Sequence, residues 1–438
     1  MTLAVELTPA PDPLDTCARF AELPHLCFLD SSARGPHGRY SFLTADPVAR
    51  VGPGGDPLTA ARALLAPHRR PALEGLPPFQ GGIAGYLSYE WGAEQERVRP
   101  ARRERDAADA GLGLYDWVIA WDHVAGRAWI VAWSDERLVW VEERLRAPYT
   151  RRAFPRLDPP LAPSSNFARH EYEAAVARIR DYIAAGDVYQ VNLAQRFETT
   201  FAGAPLELYR RLRARSAAPF GAYLALDGVV IASISPERFV RVDAGSGVEA
   251  RPIKGTRPRG ASSTEDAALA RALTESEKDR AENVMIVDLL RNDLGKVCRP
   301  GTVAVPELCA LESHPTVHHL VSTVTGELRE GADAFDLLRA AFPGGSVTGA
   351  PKIRAMEIIA ELERAPRGVY CGAIGYISAS GAMDMNIPIR TVTLQGGIAS
   401  FHAGAGIVWD SDPAAEYDET LAKARALIDA LTHQPVRS

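Results

Sequence analysis

Lysine is nearly missing from this chain. Of the 49 basic side chains in 438 residues only five are lysine, the other 44 are arginine, and no lysine precedes position 254. Where any surface cation would serve, the sequence writes arginine. A lysine kept against that bias reads as a position that needs a compact amine, because a desolvated lysine can lose its proton and act as a nucleophile while arginine cannot. Lys254 stands out among the five, since Pro252, Gly255, Thr256 and Pro258 impose an irregular backbone around it. Other shortages exclude whole classes. The five cysteines (17, 27, 298, 309, 371) are odd in number and form no CxxC pair, so neither a disulfide framework nor a zinc site is expected, and reduced thiols in a cytoplasm are. No apolar run approaches the ~20 residues of a membrane span, and the start MTLAVELTPAPDPLD lacks a basic leader, so neither membrane nor export is expected. The net charge of −6 and the lack of a basic block argue against nucleic acid as a partner. There is no GxSxG and no HExxH, and FPGGSVTGAPK (342–352) only loosely resembles a phosphate loop.

What is present reads as α+β. Residues 1–147 form a β-rich region whose segment 114–133 predicts a hairpin broken at Ala125-Gly126 and carries four of the seven tryptophans. A proline-rich linker is expected over 148–166, and a denser mixed region over 167–435. There the pattern predicts helices at 169–186, 205–216, 277–295, 334–342 and 351–364, strands at 187–199 and 221–242, and three strands with glycine-rich turns over 371–410. The closing helix begins with Asp412 as N-cap and Pro413 at its first position.

Two helices carry acid pairs three residues apart, Asp279 with Glu282 and Glu416 with Glu419, so each pair shares a face. Brought together, they would suit Mg2+, a hard cation that takes oxygen ligands and keeps water and substrate oxygens in its shell. Lys423 follows Glu419 by four residues. HAGAGIVWD (402–410) reads as a glycine-rich turn whose backbone N–H groups can approach an anion. His318 and His319 lack spaced partners and read as substrate contact or core.

Taken together, DVYQVNLAQRF, SPERFV, RPIKGTRPRG, AENVMIVDLLRNDLG, HHLVSTVTGEL, PGGSVTGAPKIRAMEII, RGVYCGAIGYI, NIPIRTV and HAGAGIVWDSDPAAEYDET resemble the chorismate-utilising enzymes, which include anthranilate, aminodeoxychorismate, isochorismate and salicylate synthases. The resemblance covers essentially the whole chain and implies that family's fold, large antiparallel sheets packed together with helices outside. It implies PIKGT, around Lys254, as a mark of the aminodeoxychorismate branch, where anthranilate synthases read PIAGT. Gln190 stands where water-adding members carry a lysine, which implies ammonia as the nucleophile. By the same resemblance Lys254, Glu237 and His319 are catalytic. Gly255, Thr256, Tyr370, Arg390, Gly404, Ala405, Gly406 and Lys423 bind chorismate. Glu282 and Glu419 hold Mg2+, with Asp279 and Glu416 behind them. Ser31, Pro219 and Phe220 match the tryptophan pocket of anthranilate synthases. No amidotransferase segment is visible, so a separate glutamine amidotransferase subunit is expected to supply ammonia. The rival activity is that of anthranilate synthase component I; a catalytically silent regulatory homologue is the rival from another class.

Overall fold

The computed structural model describes residues 2–35, 37–99, 108–149, 162–314 and 317–432. Two large antiparallel sheets make up the centre. One has 12 strands. It runs from Leu3–Leu7 through Arg127–Ala132, Trp117–Asp122, Tyr40–Thr44 and Leu26–Asp30 to Phe220–Leu226 and Val229–Ser235. It continues through Thr391–Gln395 to the two long strands that floor the site, β1 (Gln190–Thr200) and β4 (Ile398–Ile407). The second sheet has 10 strands. It starts at β2 (Ile253–Pro258) and β3 (Val317–Glu327), and passes through Gly247–Ala250, Arg238–Val242, Met383–Asn386 and Ala373–Ser378 to Gly82–Leu87 and Ala110–Tyr115.

The sheets meet through one apolar cluster to which both contribute, Phe42, Val118 and Leu224 from the first, Tyr86, Ile374 and Tyr376 from the second. On the far side of the first sheet a cluster joins Phe20, Leu212, Ala424 and Leu427 of the outer helices to Phe197 and Phe401. On the far side of the second, Ile286, Leu290, Phe335 and Leu338 cover Val240, Val248 and Val324. The layers are therefore helix, sheet, sheet, helix, the packed antiparallel sheets with outer helices that the resemblance implied. The regions 1–147 and 167–435 are stretches of sequence and not separate layers, because each sheet draws strands from both. Of the linker expected over 148–166, residues 150–161 lie outside the described residues; Ser164–Ser165 is a short strand paired with β1.

The expected hairpin is present, Trp117–Asp122 against Arg127–Ala132, with Gly126 at φ +67° in its turn. Trp117, Trp121 and Trp129 are buried in the core, as packing rather than stacking residues. Two expectations change. Residues 371–410 hold four strands instead of three, because Met383–Asn386 and Thr391–Gln395 are separate elements. HAGAGIVWD is no turn through most of its length: residues 402–407 lie inside β4 and pair with β1 from Val191↔Ile407 to Arg196↔His402. Glycine within a strand marks a place where something else approaches the backbone closely.

The acid-bearing helices form where predicted. Helix α1 (Glu277–Gly295) is capped by Ser276, whose side chain accepts from Asp279 N. Helix α2 (Pro413–Thr432) is capped by Asp412, which accepts from Ala415 N at 2.8 Å. Their first turns hang over the same end of the molecule, α1 on β2 and β3, α2 on β4. Among the described residues no helix is long and apolar enough to cross a membrane.

Candidate active site

The strand β2 pairs with β3, and the register slips between Lys254 and Thr256. Gly255, at φ +76°, absorbs the slip, and it leaves no room for a side chain: a Cβ there would lie 2.8 Å from Leu273 Cδ1 and 2.9 Å from Asp279 Cβ. The bulge turns Lys254 inward, where its Nζ donates to the Ser346 carbonyl at 3.2 Å. The hydroxyl of the same Ser346 donates to Glu237 Oε1 at 2.8 Å. One small residue of the FPGGSVTGAPK loop thus ties the amine and the carboxyl together. Burial pushes the Lys254 amine below the ordinary lysine range, against the opposing pull of Glu282 and Glu237. Burial also raises the Glu237 carboxyl, and Ser346, Lys254 and Lys423 only partly offset it. Burial thus moves both groups toward their neutral forms, the direction that suits a nucleophilic amine and a general acid.

The carboxylates of α1 and α2 converge. Burial raises the Glu282 pKa, with Asp279 and Glu416 adding to the rise while Lys254 and Lys278 oppose it. Burial likewise raises Glu416, which feels Glu419 beside it and receives a 2.6 Å hydrogen bond from Ser411 Oγ. Asp279 is engaged by Arg257 at 2.8 Å. Glu419 pairs with Lys423 at 2.7 Å, and Lys423 also donates to the Gly404 carbonyl at 3.0 Å, so this lysine is held by protein oxygens. Among the described residues no three His, Cys, Asp or Glu side chains form a cage for a metal ion by themselves. The crowded carboxylates still fit Mg2+, because that ion keeps several shell positions for water and substrate oxygens. Gln190 supports the fit: its Nε2 lies 3.5 Å from Glu282 Oε2, while its buried Oε1 has no partner.

The floor between these groups is bare backbone. A Cβ at Gly404 would meet the Leu193 carbonyl at 2.8 Å and the Tyr370 hydroxyl at 3.0 Å; one at Gly406 would lie 2.3 Å from Gln190 Nε2. Ala405 alternates to the other side of β4 and is buried among the α2-side apolar residues, so only its backbone faces the cleft. Arg390 holds φ at +51°, a costly conformation for a side-chain-bearing residue, and no hydrogen bond or ion pair joins its guanidinium to the described residues. Its positive charge reaches His319, whose ring accepts or donates at 2.9 Å with Thr256 Oγ1. Burial, with His314 and Arg390 nearby, lowers His319 to about 4, so the ring is neutral at neutral pH. A guanidinium without a partner among the described residues is suited to a carboxylate in bidentate contact. His318 points the other way along β3 and is fixed by Ser313 and Asp266.

The structure therefore brings Lys254, Glu237, Glu282, Glu416, Glu419 and Lys423 into mutual electrostatic reach, with Gly404, Gly406 and Tyr370 beside them. Ser31, Pro219 and Phe220 lie apart. Ser31 Oγ donates to the Pro219 carbonyl at 2.6 Å, and all three line a cavity of about 190 Å³ with Tyr376 and Asn386. Sequence reasoning gave no role to Ser346, although it lies in the quoted PGGSVTGAPK segment, or to His402, which opens HAGAGIVWD and packs its ring on Tyr370 at 5.0 Å.

The family model of chorismate binding enzymes matches residues 29–429, and the chain belongs to that family. It is 43% identical over 427 residues to aminodeoxychorismate synthase component 1 of Klebsiella aerogenes, covering 91% of this chain and 92% of that one. It is also 43% identical to anthranilate synthase component 1 of Streptomyces coelicolor, covering 91% of this chain and 81% of that one. Among solved structures it resembles anthranilate synthase component I from Streptococcus pneumoniae, with a TM-score of 0.80, 33% identity, and 90% and 93% of the two chains covered.

Proposed function

We propose that this chain is an amino-group transferase that converts chorismate and ammonia to 4-amino-4-deoxychorismate, the precursor of p-aminobenzoate in folate synthesis, as an aminodeoxychorismate synthase component 1. The observation that carries this reading is Lys254, a half-buried amine joined through Ser346 to the buried Glu237 carboxyl. A relative that adds ammonia directly has no need of an amine there.

Arg390 takes one carboxylate of chorismate, and the backbone N–H groups of the Gly404–Gly406 stretch face the other. Glu282 and Glu419, with Asp279 and Glu416 behind them, would hold a Mg2+ whose charge neutralises the ring carboxylate when bound. Lys254 Nζ attacks C2 as the ring double bonds shift and the C4 hydroxyl departs, taking the proton of Glu237 to leave as water. Neutral His319 lies near the ring without adding charge. Ammonia then attacks C4, the double bonds return, and the C2–Nζ bond breaks to release Lys254. The net reaction exchanges hydroxyl for amine with loss of one water. The relatives' names carry "component 1", which supports a second component, and we take it to be a glutamine amidotransferase that supplies the ammonia. We place the protein in the cytoplasm; its five cysteines are free and buried.

Anthranilate synthase component 1 is the second reading, favoured by an equal identity to one such relative. Incubation of the chain with chorismate, Mg2+ and ammonium separates the two. The proposal expects 4-amino-4-deoxychorismate; anthranilate with pyruvate would replace it by the second reading.

A further inference from the structure

Behind Tyr370 lies a second cavity, of about 390 Å³, floored by the same sheet face that presents Gly404 and Gly406. Residues alternate along β4, so His402 and Ser400 follow Gly404 on one side of the strand, and Arg196 of β1 stands opposite His402. Thr393 lines the same space, and exposed Ile398 lies on its rim. Tyr370 borders both compartments: its hydroxyl lies against Gly404, and its ring stacks on His402 with only 12° between the planes. His402 is only 8% exposed, its Nε2 is buried without a hydrogen-bond partner, and a hydrogen bond to the Pro366 backbone occupies the ring's other nitrogen. That bond leaves Nε2 as a bare lone pair, which calls for an N–H or O–H donor.

The surroundings restrict what that donor is. The charges facing the ring are Arg196 and Arg367, and burial beside them lowers His402 to about 3, so it stays neutral and accepts. Arg196 pairs with Glu198 at 2.5 Å and Arg367 with Glu363 at 2.7 Å, so both guanidiniums already have carboxylates and an anion gains little. A small neutral N–H donor fits, and the reaction proposed above consumes one.

We propose that this cavity is the ammonia antechamber of the chorismate site, with His402 Nε2 accepting an N–H of ammonia before it passes Tyr370. This rests on the amination reading. Nitrogen enters the reaction as NH3, the form that attacks carbon. His402 is a positioning residue, since it touches neither chorismate nor the metal ligands.

The test uses the full chain with saturating chorismate and Mg2+, and ammonium chloride as the varied substrate at fixed alkaline pH. His402→Phe keeps a ring stacked on Tyr370 but removes the acceptor. It should raise the KM for NH3 about five- to tenfold, the loss of one net hydrogen bond, while the KM for chorismate stays within about twofold. His402→Gln restores a carbonyl acceptor and should recover most of the loss. Ser400→Trp fills the cavity from a residue outside the chorismate site and should also raise the KM for NH3; it decides the matter should His402→Phe fail to fold. An unchanged KM for NH3 in these variants, or equal rises for both substrates, would overturn the antechamber and leave the amination reading standing. A parent chain that makes no 4-amino product would overturn both.

Discussion

Lys254→Arg separates a nucleophile from a charge. In the parent, Nζ is held 3.2 Å from the Ser346 carbonyl, and burial shifts the amine toward its free base. Arginine keeps the positive charge, so any role in pairing with a carboxylate survives. It cannot present a lone pair, because guanidinium stays protonated in proteins. Losing the covalent route should cost about a thousandfold or more in kcat, roughly 4 kcal/mol of barrier. Lys254→Ala leaves a cavity open to ammonia or water and recreates the PIAGT of anthranilate synthases, so residual turnover should move toward substitution at C2. The assay is steady-state formation of 4-amino-4-deoxychorismate from ammonium, with products separated chromatographically. An arginine variant that forms this product near the parent rate would refute the nucleophile and leave Lys254 as a counter-charge.

The remaining expectations concern metal, nitrogen source and acid. Glu282→Gln or Glu419→Gln should abolish Mg2+-dependent turnover with the fold retained by circular dichroism; normal Mg2+ dependence in both would remove them as ligands. With glutamine alone the isolated chain should be inactive and with ammonium active, and ammonium-driven turnover should rise with pH as free NH3 grows and the depressed Lys254 amine is released; glutamine-driven turnover by this chain alone would contradict the separate amidotransferase. Acid should destabilise the fold through His402. Its folded pKa, about 3, lies below the ordinary value of ~6.5, so the unfolded chain binds the proton first, and stability full above ~6.5 is lost as pH falls toward 3. That is about 2 kcal/mol at pH 5. Denaturant midpoints for parent and His402→Gln at pH 7 and pH 5 should differ in their pH dependence by about that amount, and equal dependence would contradict the buried neutral ring.

Much of this was readable from local chemistry. The start of α2 was legible in Asp412 and Pro413, because a cap acts through the first turn alone. Lys254, Gly255 and the acid pairs announced themselves through composition and spacing. Features that depend on distant pairing were hidden. Glycine-rich HAGAGIVWD looked like a turn, yet ten-residue pairing with β1 makes it a strand, and such pairing joins residues some two hundred positions apart. The interleaving of residues 1–147 with the later region is hidden for the same reason. Ser346 and His402 matter through contacts that only the packed sheets create: one links Lys254 to Glu237, the other backs Tyr370.

The most direct test of the central claim is the mass of the peptide bearing Lys254, taken after mixing the chain with chorismate and Mg2+ in the absence of ammonia and quenching within one turnover. The account predicts a gain equal to chorismate less one water, on Lys254 and absent from Lys254→Arg. Unmodified Lys254 in a chain that turns over normally once ammonium is added would contradict it.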